Sequence, residues 1–287
     1  MRIKIYVMGL KGLTALTELN PKYKNLLSKV VIGTDKAIEE DYSKEIQKVS
    51  QENNLNFDFD KDEKLNNDEI GIAIGWRWMI NCEENLFVIH DSLLPKYRGF
   101  NPLVSALING EEELGLSILK ANAEFDKGEI AIQLKTKVDY PLTIKDAIEK
   151  VSNLYGKGIN LLFDQLTNDS LILESQLEEN ATYSVWRDED DYFIDWSEDS
   201  ERIKRHIDAV GFPYLGARIK NKNQILIVKE AMVVPDLIIE NRTVGKVLMK
   251  SDLGCIVICG KGLLAIKEFY TIDGDVYKPK KFRMKFS

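Results

Sequence analysis

Cysteine, histidine and proline are all scarce in this chain, at three, two and seven residues. The cysteines, Cys82, Cys255 and Cys259, are odd in number, and their spacings suit neither a disulfide framework nor a zinc site. That excludes a disulfide-stapled scaffold, gives no sign of a metal centre, and points to the reducing cytoplasm. No apolar run approaches the roughly 20 residues needed to cross a bilayer. The opening MRIKIYVMGL is apolar, but Lys4 interrupts it and a glycine follows, so it predicts a first β-strand rather than a signal peptide. No low-complexity tract or internal repeat is visible.

What remains is an ordinary globular composition, 44% hydrophobic and 30% charged over 287 residues, with room for two domains. The net charge of −7 is unevenly spread: residues 201–287 hold 17 basic and 9 acidic side chains, leaving 22 and 37 in residues 1–200. Balances of +8 and −15 follow, and two parts of opposite sign argue for two domains. The basic part invites a nucleic-acid reading. The bland alternative, lysines scattered for solubility, weighs more.

The first part alternates strands and helices. Ile3–Met8 reads as a strand, Gly9 and Gly12 as the brackets of a turn, and Leu13–Leu19 as a helix stopped before Pro21. Val30–Gly33 reads as a second strand, 42–53 as a polar helix, and Ile70–Ile74 and Leu86–Ile89 as two further strands. Such alternation predicts an α/β domain with a parallel sheet, its ligands beyond the carboxyl ends of the strands. Gly9–Gly12, Gly75–Trp78 and His90–Gly99 would meet there. Thr143 and Asp146 resemble a capping box opening a long helix. Its apolar face runs through Ile144, Ile148, Val151, Tyr155, Ile159, Leu162 and Leu166. After Asn180 the pattern shifts to a helix over 200–210 and short strands at Gln224–Lys229, Thr243–Met249 and Cys255–Ile258, a small β-barrel or roll. The predicted domains are 1–182 and 183–287.

The densest chemistry lies in Ile89-His90-Asp91-Ser92-Leu93-Leu94-Pro95-Lys96-Tyr97-Arg98-Gly99, followed by Phe125-Asp126-Lys127-Gly128-Glu129. A histidine delivered by a strand end is a candidate general acid–base group, or else an imidazole that braces a loop. His206, on the predicted 200–210 helix, reads as structural or exposed.

The pattern H-x-S-L-L-P-x-Y-R-G, with A-L-I-N-G-E at 106–111 and F-D-x-G-E after it, resembles the folate-dependent formyltransferase family. That family includes the methionyl-tRNA, glycinamide ribonucleotide and sugar N-formyltransferases. The likeness runs through most of 70–135, with a weaker trace in Ser184–Ser197. It implies a Rossmann-like catalytic domain that uses 10-formyltetrahydrofolate as formyl donor and needs no metal. By position, His90 and Asp126 match the catalytic pair, the imidazole shuttling a proton and the carboxylate orienting it. Without the resemblance Asp126 is a solvated turn carboxylate. Met79, Ile89, Ser92, Leu93 and Leu94, with Asp126, fall on the folate side.

The sequence departs from the family at Val88, where the family places an asparagine thought to support the oxyanion. Loss of such a donor typically costs about two to three orders of magnitude in rate. His90, a backbone N–H or Asn101 would then have to substitute.

For the acceptor, Gly75-Trp76-Arg77-Trp78 resembles the loop that lies between folate and nucleotide in the sugar N-formyltransferases. By that resemblance Arg77 meets a diphosphate; on residue type alone the tryptophans are equally wedges in a packed contact. The turn Met8-Gly9-Leu10-Lys11-Gly12 is no dinucleotide fingerprint, but its small residues would let a ligand approach the backbone. Gly9, Lys11, Gly12, Trp76, Arg77, Tyr97 and Arg98 are therefore the candidate acceptor-binding residues, with Lys96 and Arg98 also readable as surface charges. The expected acceptor is the primary amine of a dTDP- or UDP-linked amino sugar, for surface glycans. The acidic segment 37–41, the −15 balance and Val88 weigh against transfer RNA. The basic C-terminal part and the W-R-D-E-D-D-Y-F-I-D-W segment, similar to the linker of the tRNA enzymes, keep that alternative open. A noncatalytic folate-binding scaffold is the other alternative, favoured by Val88 and disfavoured by His90 and Asp126. A homodimer is the expected assembly.

Overall fold

The computed structural model describes residues 1–35, 38, 40–80, 85–279, 281 and 283–287. Cys82, and Ala37 and Glu39 of the acidic segment, lie outside the described residues. The chain divides into two compact units, one comprising residues 1–103, 112–138 and 146–185, the other 104–111, 139–145 and 186–287.

The first unit is built on β1 (Ile3–Val7), α1 (Gly9–Glu18), β2 (Leu27–Ile32), α2 (Ser43–Glu52), β3 (Phe57–Asp58), β4 (Ile70–Ile74) and β5 (Leu86–His90). It continues with β6 (Arg98–Gly99), α3 (Pro102–Asn109), β7 (Glu113–Lys120), β8 (Ile130–Lys137), α4 (Ile144–Thr167) and β9 (Tyr183–Ser184), with most of α3 falling in the second unit. Seven strands form one sheet in the order β3-β2-β1-β4-β5-β7-β8. The five from β3 to β5 are parallel, as the strand–helix alternation predicts, and β7 and β8 add an antiparallel edge. No strand is predicted over 113–120 or 130–137. The six central residues of β7 are all buried, so apart from Ser117 its sequence is a mostly apolar run without alternation that a buried helix could equally show.

Helix α1 starts four residues earlier than predicted, so Gly9 and Gly12 belong to the helix rather than to a turn. A Cβ on Gly12 would stand 2.9 Å from that of Val7, so only glycine lets the helix begin this close to β1. Along α4, Ile144, Val151, Tyr155, Ile159 and Leu162 are all at most 2% exposed, each apolar side chain contributing about 1.5–3 kcal/mol by burial. The missing side chain of Gly158 lets α4 lie on Ile118 and Leu116 of β7.

The second unit holds α5 (Ser200–Ala209), whose N-cap Asp199 accepts a hydrogen bond from the Arg202 N–H at 2.7 Å. Its strands are β10 (Ala217–Asn221), β11 (Gln224–Val228), β12 (Met232–Val234), β13 (Val247–Ser251), β14 (Gly254–Ile258), β15 (Leu263–Ile266), β16 (Phe269–Tyr270) and β17 (Val276–Tyr277). They make two antiparallel four-stranded sheets, β10-β11-β16-β17 and β12-β15-β14-β13. Strand β13 starts four residues later than predicted, because Gly245 takes φ 76° where a Cβ would fall 2.3 Å from the Phe286 carbonyl oxygen. Among the described residues no helix is long and apolar enough to cross a membrane.

Candidate active site

Strand β5 pairs in register with β4 and β7 and delivers His90 at its carboxyl end, opposite Ser117. The imidazole is 7% exposed. Its Nε2 stands 2.8 Å from the Tyr97 carbonyl oxygen, a contact that requires the proton to be on Nε2, since a carbonyl only accepts. Its Nδ1 faces Asp126 Oδ1 at 3.6 Å. The other carboxylate oxygen of Asp126 accepts the Gly99 N–H at 2.7 Å. Two residues 36 apart in sequence therefore meet as an imidazole–carboxylate pair.

The loop after His90 is braced from within. Ser92 Oγ donates to the Lys96 carbonyl at 2.6 Å. The fully buried Ser117 hydroxyl donates to the Ser92 carbonyl at 2.7 Å and accepts the Leu94 N–H at 3.0 Å, while Gln133 Nε2 reaches both Ser117 Oγ and the Leu94 carbonyl at 2.9 Å. The backbone polar groups of Leu94 are thus already engaged. The side chains of Ile89 and Leu94 are each 4% exposed and pack inward, that of Leu93 lies against Gly115, and Met79 stands 71% exposed.

Beneath the loop, Asp91 ties three elements together. One oxygen forms an ion pair with Lys11 of α1, and the other accepts the Tyr155 hydroxyl of α4 at 2.8 Å. Burial, with Asp91 adding to it, pushes the Tyr155 phenol well above its ordinary pKa, so it remains a neutral donor. Lys11 is therefore spent on Asp91 rather than held free for a ligand.

At the ends of β1, β2 and β4 lies an aromatic group. Trp76 and Trp78 meet edge to face at 4.8 Å, Tyr6 meets Trp76 at 5.3 Å, and a Cβ on Gly33 would come within 3.1 Å of Trp78, Trp76 and the Met8 sulfur. Gly75 has φ 63°, the left-handed region that turns the chain out of β4. Among the described residues the buried indole N–H of Trp76 has no hydrogen-bond partner. Arg77, 48% exposed, donates to Asp35 at 2.6 Å and lies 5.1 Å from the Trp78 ring centroid. Val88 points to the same side of β5 as His90, and with Trp76, Ile80 and Ala121 it packs on Leu65, Ala73 and Leu86. An apolar wall thus stands where an amide donor was sought, and Asn101, at φ 50°, is exposed.

Arg98 departs most from its sequence reading. It is 1% exposed, and its guanidinium donates to Gln176 and Glu178, so it is turned into the protein and not towards a ligand. Tyr97, at φ 59°, contributes its carbonyl to His90. His206 is partly buried on α5 with Nε2 3.4 Å from the Tyr192 carbonyl, and burial lowers its pKa, in line with a structural role. The sequence reading missed Asp91, Tyr155, Ser117, Gln133 and Gln176. Only Asp91, beside His90, carried any local signal. Among the described residues no group of three or more His, Cys, Asp or Glu side chains is arranged to hold a metal ion.

Two sequence families match: Formyl transferase over residues 77–161, and Formyl transferase, C-terminal domain, over residues 187–287. Curated relatives include methionyl-tRNA formyltransferases from Thermotoga neapolitana, 34% identical over 48% of this chain and 44% of its own length, and from Hahella chejuensis, 29% identical over 62% and 55%. The chain spans about half the length of the curated relatives it matches. Among solved structures, WlaRD, a sugar 3N-formyl transferase crystallised with dTDP and 5-N-formyl-THF, aligns over 97% of this chain and 98% of its own at a TM-score of 0.72 and 18% identity. An N-formyltransferase from Helicobacter canadensis, in complex with folinic acid and dTDP-3-aminofucose, aligns over 96% and 100% at 0.69 and 14%. At these identities the structural likeness is one of fold.

Proposed function

We propose, on the premise that this chain belongs to the formyl transferase family, that it moves a formyl group from 10-formyltetrahydrofolate to the primary amine of a dTDP- or UDP-linked amino sugar. The observation that carries the chemistry is the buried His90 facing Asp126 at the carboxyl end of β5. The amine nitrogen attacks the formyl carbon and loses a proton, the bond from that carbon to folate N10 breaks, and N10 gains a proton. His90 is the group that carries the proton from one nitrogen to the other. To do so its ring exchanges the Tyr97 carbonyl for a reacting group and takes the tautomer with its proton on Nδ1, facing Asp126. That leaves Nε2 free to accept the amine proton while Asp126 stabilises the charged imidazole. The charge that develops on the formyl oxygen falls to the protonated imidazole or a peptide N–H, because Val88 has no donor.

The apolar wall of Val88, Ile80 and Ala121 suits a flat aromatic donor. The Trp76 indole N–H, without a partner among the described residues, and the half-exposed Arg77 guanidinium suit an acceptor rich in oxygen. A nucleotide sugar is favoured over transfer RNA by the −15 balance of residues 1–200 and by a near end-to-end alignment with two sugar-acting enzymes. The methionyl-tRNA reading keeps the support of the sequence relatives. We assign the reaction to the cytoplasm, in keeping with the free, buried Cys255 and Cys259, and to a homodimer that makes formylated sugars for surface glycans.

The test offers 10-formyltetrahydrofolate with a panel of dTDP- and UDP-amino sugars, and Met-tRNA alongside, to the purified protein. A gain of one formyl mass on a sugar nucleotide is expected. Formylation of Met-tRNA alone overturns the acceptor and leaves the chemistry standing.

A further inference from the structure

We infer that Gln176 is a positioning residue that holds the Asp126 turn against His90, with the buried guanidinium of Arg98 holding Gln176 in turn. The inference rests on reading His90 and Asp126 as the acid–base pair.

Asp126 is a non-glycine residue at φ 55°, a left-handed conformation that asparagine and aspartate tolerate better than other side chains and that contacts from its surroundings hold in place. The side-chain amide of Gln176 supplies that constraint. Its Nε2 donates to the carbonyl of Asp126 at 2.8 Å and to that of Gly128 at 2.7 Å, the two carbonyls that bracket the Lys127 residue. Its Oε1 accepts from Nε of Arg98 at 3.0 Å and from Nη2 at 2.9 Å. A guanidinium only donates and a carbonyl only accepts, so the amide has a single orientation that satisfies all four contacts.

The rest of the turn is held from both sides. Gly99, next to Arg98, donates its N–H to the Asp126 carboxylate, so the residue pair 98–99 controls both the backbone and the side chain of Asp126. On the far side a Cβ on Gly128 would fall 1.7 Å from the Lys120 carbonyl oxygen, which seats the turn on the end of β7. Reciprocal hydrogen bonds between Ile130 and Glu174, at 2.8 and 2.9 Å, bring the 174–176 segment alongside. Without the Gln176 donors, two carbonyls lose their partners, and the carboxylate that faces His90 is left with the Gly99 N–H. Gln176 lies between the two matched family segments, 50 residues beyond Asp126.

The test compares Gln176→Glu and Gln176→Met with wild type. The first keeps an oxygen for Arg98 and removes the donors; the second keeps the bulk and removes both polar ends. We expect kcat to fall about 10- to 100-fold, since a misplacement on the order of 1 Å can cost that much, with KM for both substrates within about twofold. In an Asp126→Asn background the same substitutions should cost less than about twofold, because Gln176 acts through Asp126. An undiminished effect in that background overturns the inference.

A second readout needs no turnover. The chain has two histidines, so with His206→Gln the imidazole nitrogen resonances of His90 are assigned outright. They should move in both Gln176 variants of the ligand-free protein, and resonances that coincide with wild type overturn the inference. If wild type formylates nothing, the acid–base reading falls, and these resonances still decide whether Gln176 sets the pair.

Discussion

At the amino end of the seven-stranded sheet the Lys4 ammonium meets Glu63 at 2.7 Å, Glu69 at 3.1 Å and the Lys64 carbonyl at 2.5 Å, with the Lys4 and Glu69 side chains at most 3% exposed. At the carboxyl end of the same sheet His90 stands 3.6 Å from Asp126, Arg77 is half exposed, and the buried Trp76 N–H has no partner among the described residues. Both ends bury charge or polarity. The amino end saturates it, with Arg2 and Lys29 adding further pairs to Glu69 and Glu63. The carboxyl end pairs Asp91 tightly with Lys11 and Tyr155 but leaves His90 and Asp126 at 3.6 Å and Arg77 half exposed, as the proposed site needs if its groups are to exchange a protein partner for a ligand. The contrast separates groups that hold the sheet together from groups to which the proposed function gives the chemistry.

The sharpest way to break this contrast is His90→Ala. Transfer should fall by about two to four orders of magnitude while the denaturation midpoint stays near wild type, measured by formyl mass gain and urea titration. An equal loss of stability would make the carboxyl end structural as well. Lys4→Met should do the reverse. It leaves Glu69 buried with Arg2, at 3.4 Å, as its one remaining cation among the described residues, and should cost about 3 kcal/mol in urea unfolding with kcat retained.

The same cluster sets an acid limit. The Lys4 hydrogen bond holds the Glu63 carboxyl below its ordinary 4.5. Burial pushes Glu69 up, but hydrogen bonds from Ser28 and Lys4 outweigh it, and Glu69 too is lowered. A carboxyl lowered on folding contributes stability that is complete above its unfolded pKa, near pH 4.5, and is lost as pH falls through its folded value. Unfolding free energy should therefore drop steeply below about pH 4.5, and Lys4→Met should flatten that limb. The smallest expected effect is at the carboxyl end: Arg77→Gln should raise KM for the proposed nucleotide-sugar acceptor about tenfold, the worth of one charge-assisted hydrogen bond, with kcat near wild type. An unchanged KM would leave Arg77 as a partner of Asp35 alone.

Much of the fold was legible because it follows local rules. The β-branched runs at Ile3–Val7, Ile70–Ile74 and Leu86–His90 are strands, and the apolar stripe of 144–166 is the buried face of α4. The start of α1 was misread because glycine signals a turn by default, and only the approach of Gly12 to Val7 shows why a helix needs it. Strand β7 was missed because uniform burial erases the alternation that marks a strand, whereas β8 keeps an alternating burial pattern over 132–137.

The site divides along the same line. Residue type and position marked the histidine at a strand end as a candidate acid–base group, and only the resemblance of the two short motifs to the formyltransferases paired it with an aspartate that otherwise reads as a solvated turn carboxylate. Only the tertiary structure decided that Arg98 turns inward, that Lys11 is spent on Asp91, and that Gln176 grips the Asp126 turn. Those contacts join residues 50 to 80 positions apart, and which of them meet depends on the packing of β7, α1 and the 174–184 segment around the His90 loop, which no local pattern records.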